Sequence, residues 1–558
     1  MDYISKYEHW LNSANIDEAT RNELLSIKDD NKEIKERFFC EIEFGTAGMR
    51  GVLGAGLNRM NKYMVRRATE GYAKYILDCG ADAVKKGVVI AHDNRRFSVE
   101  FSRETAAVLA ANGIKSYLFD ALRPTPELSF AVRELGAFGG VMITASHNPS
   151  EYNGYKLYDE RGCQLIPSMT DKVIKYVTEI EDPLAVKALD FEDAKKFITF
   201  LDNSIDEKYY AAVESIQLDT TLNKDIKVIY SPQHGTGNIP VREVLKRTGY
   251  KVIPVLEQCP PDTEFSNTKN PNPETKEAYE LALEYAKAND ADIVITTDPD
   301  CDRLGVAVKQ GSDYILMTGN QSAAVVLDYI LMQRTKAGTM PENPVMFNTV
   351  VTSDLGDRVC EAYGVSVEKT LTGFKFIGDK IYKHQLEGDK NFVFGYEESY
   401  GCLAADFVRD KDAVQASLML CECAAYYKEL GKTLYDALND LYKKHGYYVD
   451  SVDSFTFKGL DGAEKIKSLV EGLRSNPPKE INSIPVVKIE DYKAKEMIDQ
   501  GFPSSNVLRF VFADTSWVAV RPSGTEPKCK FYFCIRGTTP EEAKEKLANF
   551  KSVFEKNC

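Results

Sequence analysis

The sequence predicts an α/β protein: three similar α/β units with mixed, mostly parallel sheets around a central cleft, plus a smaller C-terminal α+β domain. Three observations carry that prediction. Short β-branched runs alternate with amphipathic helical stretches in three successive rounds between residues 87 and 394. The last strand of each round runs straight into a polar, turn-rich segment: ITASHNPSEYNGYK, TTDPDCDRLG and FGYEESYG. Beyond residue 447 the alternation stops and strands follow one another.

The elements follow in order. Residues 5–37 are charged with an apolar stripe and predict N-terminal helices. In the first unit, 87–91 is a strand, 104–112 an Ala-rich helix stopped by Gly113, 116–119 a strand, 126–135 a helix and 140–144 a strand. The second unit reads as strand 226–230, helix 239–247, strand 251–255, helix 276–288 and strand 292–296. The third reads as strand 345–348, helix 353–363, and strands 365–369 and 391–394. The segment NPPKEINSIP at 476–485 reads as a linker or loop. Strands are expected at 508–512, 516–520 and 530–535, with a closing helix at 540–554. The expected domains are 1–204, 205–312, 313–446 and 447–558.

Composition bounds the function. The 558 residues carry 70 Lys and Arg against 84 Asp and Glu, a formal charge of −14. That balance disfavours nucleic-acid binding through a global field and leaves room for a local basic cleft. Twelve scattered cysteines without CxxC spacing fit a reducing compartment, not a disulfide scaffold. Neither a secretory leader nor a run of 18 apolar residues is seen, so a cytoplasmic protein without membrane partners is expected.

Beyond the three predicted strands lie the groups with chemistry, and such loops are where open α/β sheets bind ligands. Asp298, Asp300 and Asp302 stand at i, i+2 and i+4. At 4 Å and an effective dielectric of 20, each like-charged pair costs about 4 kcal/mol, so protons or a cation must relieve it. An all-oxygen donor set favours Mg²⁺ over Zn²⁺; the competing reading is a solvated acidic turn. Ser146 has His147 beside it, and Asn153-Gly154 reads as a turn that brings Lys156 back toward the hydroxyl. That trio suits phosphoryl or acyl transfer, the latter weakened by the absence of GxSxG. RPSGTEPK offers a phosphate nest through Arg521, Ser523, Gly524 and Thr525. Glu397 and Ser399 suit sugar hydroxyls, and GTAGMRG supplies Thr46 and Arg50 on a flexible loop. His9, His92, His234, His384 and His445 read as structural.

Four motifs, TASHNPSEYNGYK, DPDCDR, GYEESYG and RPSGTEP, stand in the order and spacing of the α-D-phosphohexomutase superfamily, which the chain resembles over roughly residues 40–550. EFGTAGMRG and NGYKLY are most similar to its phosphoglucomutase/phosphopentomutase branch. Cys301 departs from the smaller residue usual in the metal loop, and GYEESYG from a shorter motif. The resemblance implies that Ser146 carries a phosphoryl group. It further implies that Asp298, Asp300 and Asp302 hold Mg²⁺ with an oxygen of that phosphoserine. Arg50, Lys156 and Arg303 would balance charge, with His147 and Lys156 handling protons. Thr46, Arg303, Glu397 and Ser399 would bind the sugar phosphate. Arg521, Ser523, Gly524 and Thr525 would bind its non-reacting phosphate, assisted by Lys411. The implied reaction interconverts glucose 1-phosphate and glucose 6-phosphate through glucose 1,6-bisphosphate, in a monomer or homodimer. Pentose phosphates are the main alternative, because Tyr396 and Tyr400 are expected to narrow the sugar pocket. Mannose phosphates and hexose-bisphosphate synthesis follow behind, as do a phosphatase and a non-catalytic sensor.

Overall fold

The computed structural model describes residues 2–45, 48–456, 462–522 and 528–555. Three short helices open the chain: Tyr3–Asn12, Glu18–Ser26 and Asn31–Phe38. Each starts at an aspartate (Asp2, Asp17, Asp30) whose carboxylate accepts backbone N–H groups of the first turn, a cap that contributes about 1 kcal/mol. Trp10 fixes the layer, meeting Phe38 and Tyr63 edge to face at 5.8 and 5.6 Å.

The first sheet holds β1 (Phe44–Gly45), β2 (Gly48–Val52), β3 (Val88–His92), β4 (Ser116–Phe119), β5 (Gly139–Ile143), β6 (Tyr152–Asp159) and β7 (Ile198–Leu201), in the order β1-β2-β6-β5-β3-β4-β7. The second holds β8 (Lys227–Ser231), β9 (Lys251–Pro254), β10 (Ile293–Thr297), β11 (Leu304–Gln310) and β12 (Asp313–Met317), in the order β12-β11-β10-β8-β9. The third holds β13 (Pro344–Thr349), β14 (Ser366–Thr370), β15 (Asn391–Tyr396) and β16 (Cys402–Leu403), in the order β14-β13-β15-β16. The last sheet is antiparallel throughout. It comprises β17 (Tyr447–Thr456), β18 (Glu480–Ile481), β19 (Ile484–Asp491), β20 (Leu508–Phe512), β21 (Trp517–Pro522) and β22 (Lys528–Gly537), ordered β17-β22-β21-β20-β19-β18.

One device repeats in the first three sheets and positions the site. A core strand (β5, β10 or β15) pairs in parallel on one side, and the chain then folds straight back as its antiparallel neighbour on the other. β5 and β10 are buried along their whole length, as expected of apolar runs covered on both faces. The reversing loop therefore leaves from the carboxyl end of a core strand three times. Each such loop carries one non-glycine residue with left-handed backbone: Ser146 (φ 52°), Cys301 (φ 56°) and Tyr400 (φ 69°). Such residues cost about 1–3 kcal/mol each and persist where surrounding contacts hold them.

Three expectations need correction. Asn153-Gly154 is not a turn; both residues lie inside β6, with Gly154 opposite Arg50 of β2. Gly154 is required there because a Cβ would sit 2.4 Å from the Thr144 carbonyl oxygen. The segment 476–485 is not a free linker: β18 and β19 fold it into an edge hairpin with Asn482 and Ser483 at positive φ, and Ile481 anchors it in the core. The helix expected from residue 104 begins at Ser98. Among the described residues no helix is long and apolar enough to cross a membrane.

Candidate active site

The loop after β5 presents Ser146 almost fully buried. Its backbone N–H donates to Thr144 Oγ1 at 2.8 Å. Its hydroxyl donates to Asp298 Oδ2 at 2.8 Å and lies 3.2 Å from His147 Nδ1. Arg95, invisible as a site residue in the sequence, locks this loop. Its Nη1 donates to the carbonyls of Pro149 (2.7 Å) and Tyr152 (3.0 Å), and its Nη2 to those of Ser146 (2.6 Å) and Asn148. Asp93 balances its charge at 3.2 Å, and the Phe265 ring stacks on it at 5.1 Å.

The loop after β10 brings Asp298, Asp300 and Asp302 together. One carboxylate oxygen from each lies within 4.8 Å of the others, and all three side chains are buried. Asp298 Oδ1 accepts the backbone N–H groups of Asp302 (3.1 Å) and Arg303 (3.0 Å). Asp300 Oδ2 accepts from Lys156 Nζ at 2.7 Å and from Thr125 Oγ1 at 3.0 Å. Asp302 Oδ2 lies 3.1 Å from Lys411 Nζ and 3.7 Å from Lys156 Nζ. Asp300 Oδ1 and Asp302 Oδ1 are buried without a hydrogen-bond partner. Two orphaned oxygens within an all-oxygen triad fit a hard divalent cation.

The protonation states follow from burial and neighbours. Burial pushes Asp298 well above the carboxylate range, and Asp300 and Asp302 add to the push. Burial also raises Asp300, but Lys156, with a hydrogen bond to Asp298 and the charge of Lys411, more than offsets it and leaves that carboxyl low. Burial, then Arg303 and Arg50, hold His147 well below the usual imidazole range, so the ring is neutral. Lys156 is opposed by burial but held charged by Asp300 and Asp302. The site thus pairs a neutral imidazole with a protonated amine, a separation suited to base and acid roles.

The remaining predicted residues fall as follows. Arg50, expected on a flexible loop, instead lies in strand β2 paired with β6, and its Nη1 donates to Asn148 Oδ1 at 3.0 Å. Arg303 Nη1 lies 2.5 Å from Glu274 Oε1. Glu397 Oε1 accepts the Gly373 N–H at 2.7 Å, and its own N–H donates to the Gly401 carbonyl. Ser399 sits half-buried in the same loop. Lys411, expected near the non-reacting phosphate, stands against Asp302 of the carboxylate triad and against its neighbour Asp410. Arg521 is half-buried on β21 opposite Lys530. Its charge reaches Glu398, which burial and adjacent Glu397 push up to about 7. Thr46, Ser523, Gly524 and Thr525 lie outside the described residues. Tyr396 does not narrow the pocket: it is fully buried, its ring lying against Gly356.

Sequence reasoning missed Thr125, Lys375 and Asp410 as well as Arg95. Lys375 is buried within the fields of Arg521 and Glu397, and burial lowers it to about 8. A lysine at the start of a helix following TG carried the only signal, and it is weak.

Comparison with known proteins bears on this geometry. Residues 41–183, 207–311, 318–445 and 469–550 match, in order, the alpha/beta/alpha domains I, II and III and the C-terminal domain of phosphoglucomutase/phosphomannomutase. The chain belongs to the phosphoglucomutase/phosphomannomutase family. It is 38% identical over 527 residues to a phosphoglucomutase of Staphylococcus aureus strain MRSA252, covering 92% of this chain and 93% of the relative. A Staphylococcus aureus MSSA476 phosphoglucomutase is 37% identical over 525 residues, with the same coverage. The open form of the Paramecium phosphoprotein pp63/parafusin, a phosphoglucomutase, shares the fold with TM-score 0.69 at 18% identity, over 92% of this chain and 96% of that one. A phosphoglucomutase/phosphomannomutase family protein of Burkholderia thailandensis shares it equally, with TM-score 0.69 at 18% identity, over 92% of this chain and 97% of that one. Cys301, where the resemblance has a smaller residue, sits at a left-handed backbone position, φ 56°, that glycine adopts more easily, and nothing in the structure explains the cysteine.

Proposed function

We propose that this family member is a phosphoglucomutase, interconverting glucose 1-phosphate and glucose 6-phosphate through a phosphorylated Ser146 and glucose 1,6-bisphosphate. The observation that carries the reading is the Ser146 hydroxyl, 2.8 Å from a buried carboxylate triad that two lysines flank. Asp298, Asp300 and Asp302 would hold Mg²⁺, which supplies charge neutralisation at the transferring phosphoryl oxygens. Lys156, Lys411, Arg303 and Arg50 supply further positive charge around it. When Ser146 Oγ attacks a phosphoryl group of the bisphosphate, the Oγ–P bond forms and the sugar O–P bond breaks. The Oγ proton passes to the neutral His147 Nδ1, and the departing sugar oxygen takes a proton from the Lys156 ammonium. In the other half-reaction the same transfers run backwards onto the opposite hydroxyl.

Glu397 and Ser399 orient the sugar, and Arg521 with residues 523–525 anchors the phosphate that is not reacting. With Tyr396 turned into the core, the pocket has lost one of the two side chains that favoured pentoses. Comparing kcat/KM for glucose 1-phosphate, mannose 1-phosphate and ribose 1-phosphate, with matched bisphosphate activator, tests the substrate. Glucose 1-phosphate is expected to lead. A ribose 1-phosphate value more than about tenfold higher, a gap of about 1.4 kcal/mol, would make the protein a phosphopentomutase.

A further inference from the structure

Glu274 belongs to none of the sequence motifs, yet its carboxylate faces Arg303 of the carboxylate loop and acts on Glu398 and Lys530 of two other units. Its loop is hydrogen-bonded to itself and to Tyr279. Asn272 Oδ1 accepts the Glu274 N–H at 3.1 Å, the Asn272 carbonyl accepts the Thr275 N–H at 2.9 Å, and the Pro273 carbonyl accepts the Tyr279 hydroxyl at 3.0 Å. The loop lies flat on β11, where a Cβ at Gly305 would sit 2.9 Å from the Pro273 oxygen. From that platform Glu274 Oε1 holds Arg303 Nη1 at 2.5 Å. At Nε the guanidinium is held loosely: that atom is buried without a hydrogen-bond partner among the described residues, and its ion pair with Asp302 Oδ1 is long at 3.8 Å. Arg303 is therefore a cation at the rim of the carboxylate triad whose shortest ion pair among the described residues is with a carboxylate outside it. Glu274 also lies in the field of Lys530 on β22, whose ammonium it favours against burial. Once parted from Arg303, the carboxylate still has a cation nearby, which lowers the cost of letting the guanidinium go.

We propose that Glu274 is an exchangeable counter-ion for Arg303, holding the guanidinium while the cleft lacks a phosphoryl group and yielding it to a phosphoryl oxygen when one arrives. This rests on the reading of the cleft as a sugar-phosphate site. Glu274 is then a positioning residue that competes with the bound anion. Its competition keeps the unphosphorylated enzyme from gripping the bisphosphate too tightly, which the intermediate needs in order to turn round between half-reactions.

The competition gives the test its sign. In a Ser146→Ala background, where no transfer occurs, glucose 1,6-bisphosphate affinity is measured by calorimetry with Mg²⁺ present. Adding Glu274→Gln is expected to tighten binding about three- to tenfold, the scale of one partly exposed charge. Adding Arg303→Ala as well is expected to abolish the gain. A carboxylate that merely supported the loop would weaken binding when altered. Affinity that is unchanged or weaker in Glu274→Gln overturns the proposal, as does a gain of the same size without Arg303. A parent that binds no bisphosphate overturns the reading of the cleft, and the proposal with it.

Discussion

Arg95→Lys should damage turnover far more than its distance from the chemistry suggests. The guanidinium serves four backbone carbonyls of the Ser146 loop from two nitrogens and keeps an ion pair with Asp93. A lysine preserves the charge for Asp93, but a single nitrogen cannot span carbonyls on both sides of the fork. At least two charged hydrogen bonds are lost, at about 1.5–3 kcal/mol each. Relaxation of Ser146 from its left-handed backbone, at φ 52°, returns about 1–2 kcal/mol. The net loss is about 1–5 kcal/mol, concentrated in the loop that aims the hydroxyl. A displacement of about 1 Å is enough to lower turnover about a hundredfold. Steady-state kinetics with saturating Mg²⁺ and bisphosphate should therefore show kcat falling by about that factor and KM changing much less. Turnover within about threefold of the unaltered enzyme, or a loss confined to KM, would refute the reasoning.

Two further outcomes follow from the buried charges. Asp300→Asn should cost at least about a hundredfold in activity. It should also abolish the rise in thermal stability that Mg²⁺ gives the unaltered protein, read by calorimetry with and without chelator; a preserved Mg²⁺ response would remove Asp300 from the metal site. Asp450 has an orphaned buried Oδ1, and burial lifts its pKa to about 6. A carboxyl raised in the folded state contributes stability that is complete below its unfolded pKa and is lost as pH rises through about 6. Asp450→Asn escapes that loss, so the variant should be about 2–3 kcal/mol more stable than the parent at pH 8 and no more stable near pH 4, measured by denaturant unfolding. A pH-independent difference would contradict the assignment.

Much of this architecture was legible because local signals agreed. β4 and β20 fall at their expected bounds, Ser116–Phe119 and Leu508–Phe512, since short apolar runs there are clearly punctuated. β6 was hidden because Asn-Gly spells a turn locally, while the glycine actually answers the close approach of the Thr144 carbonyl across the sheet. The triad was legible because three carboxylates crowd within five residues, which is a chemical demand visible in one dimension. Arg95 and Glu274 were not, because their partners lie about 50 and 29 residues away and only the folded chain joins them. The place of Lys411 was not legible for the same reason: no sequence spacing records that Lys411 reaches across to Asp302.

The central claim, that Ser146 carries the phosphoryl group between half-reactions, has a direct test. The purified protein is incubated with glucose 1,6-bisphosphate and Mg²⁺, then examined by intact mass and peptide mapping, and afterwards mixed with glucose 1-phosphate. The account predicts a gain of about 80 Da located on Ser146 and lost again on mixing, with glucose 1,6-bisphosphate as the product. Phosphate located on another residue, or a phosphoserine that glucose 1-phosphate does not discharge, would contradict it.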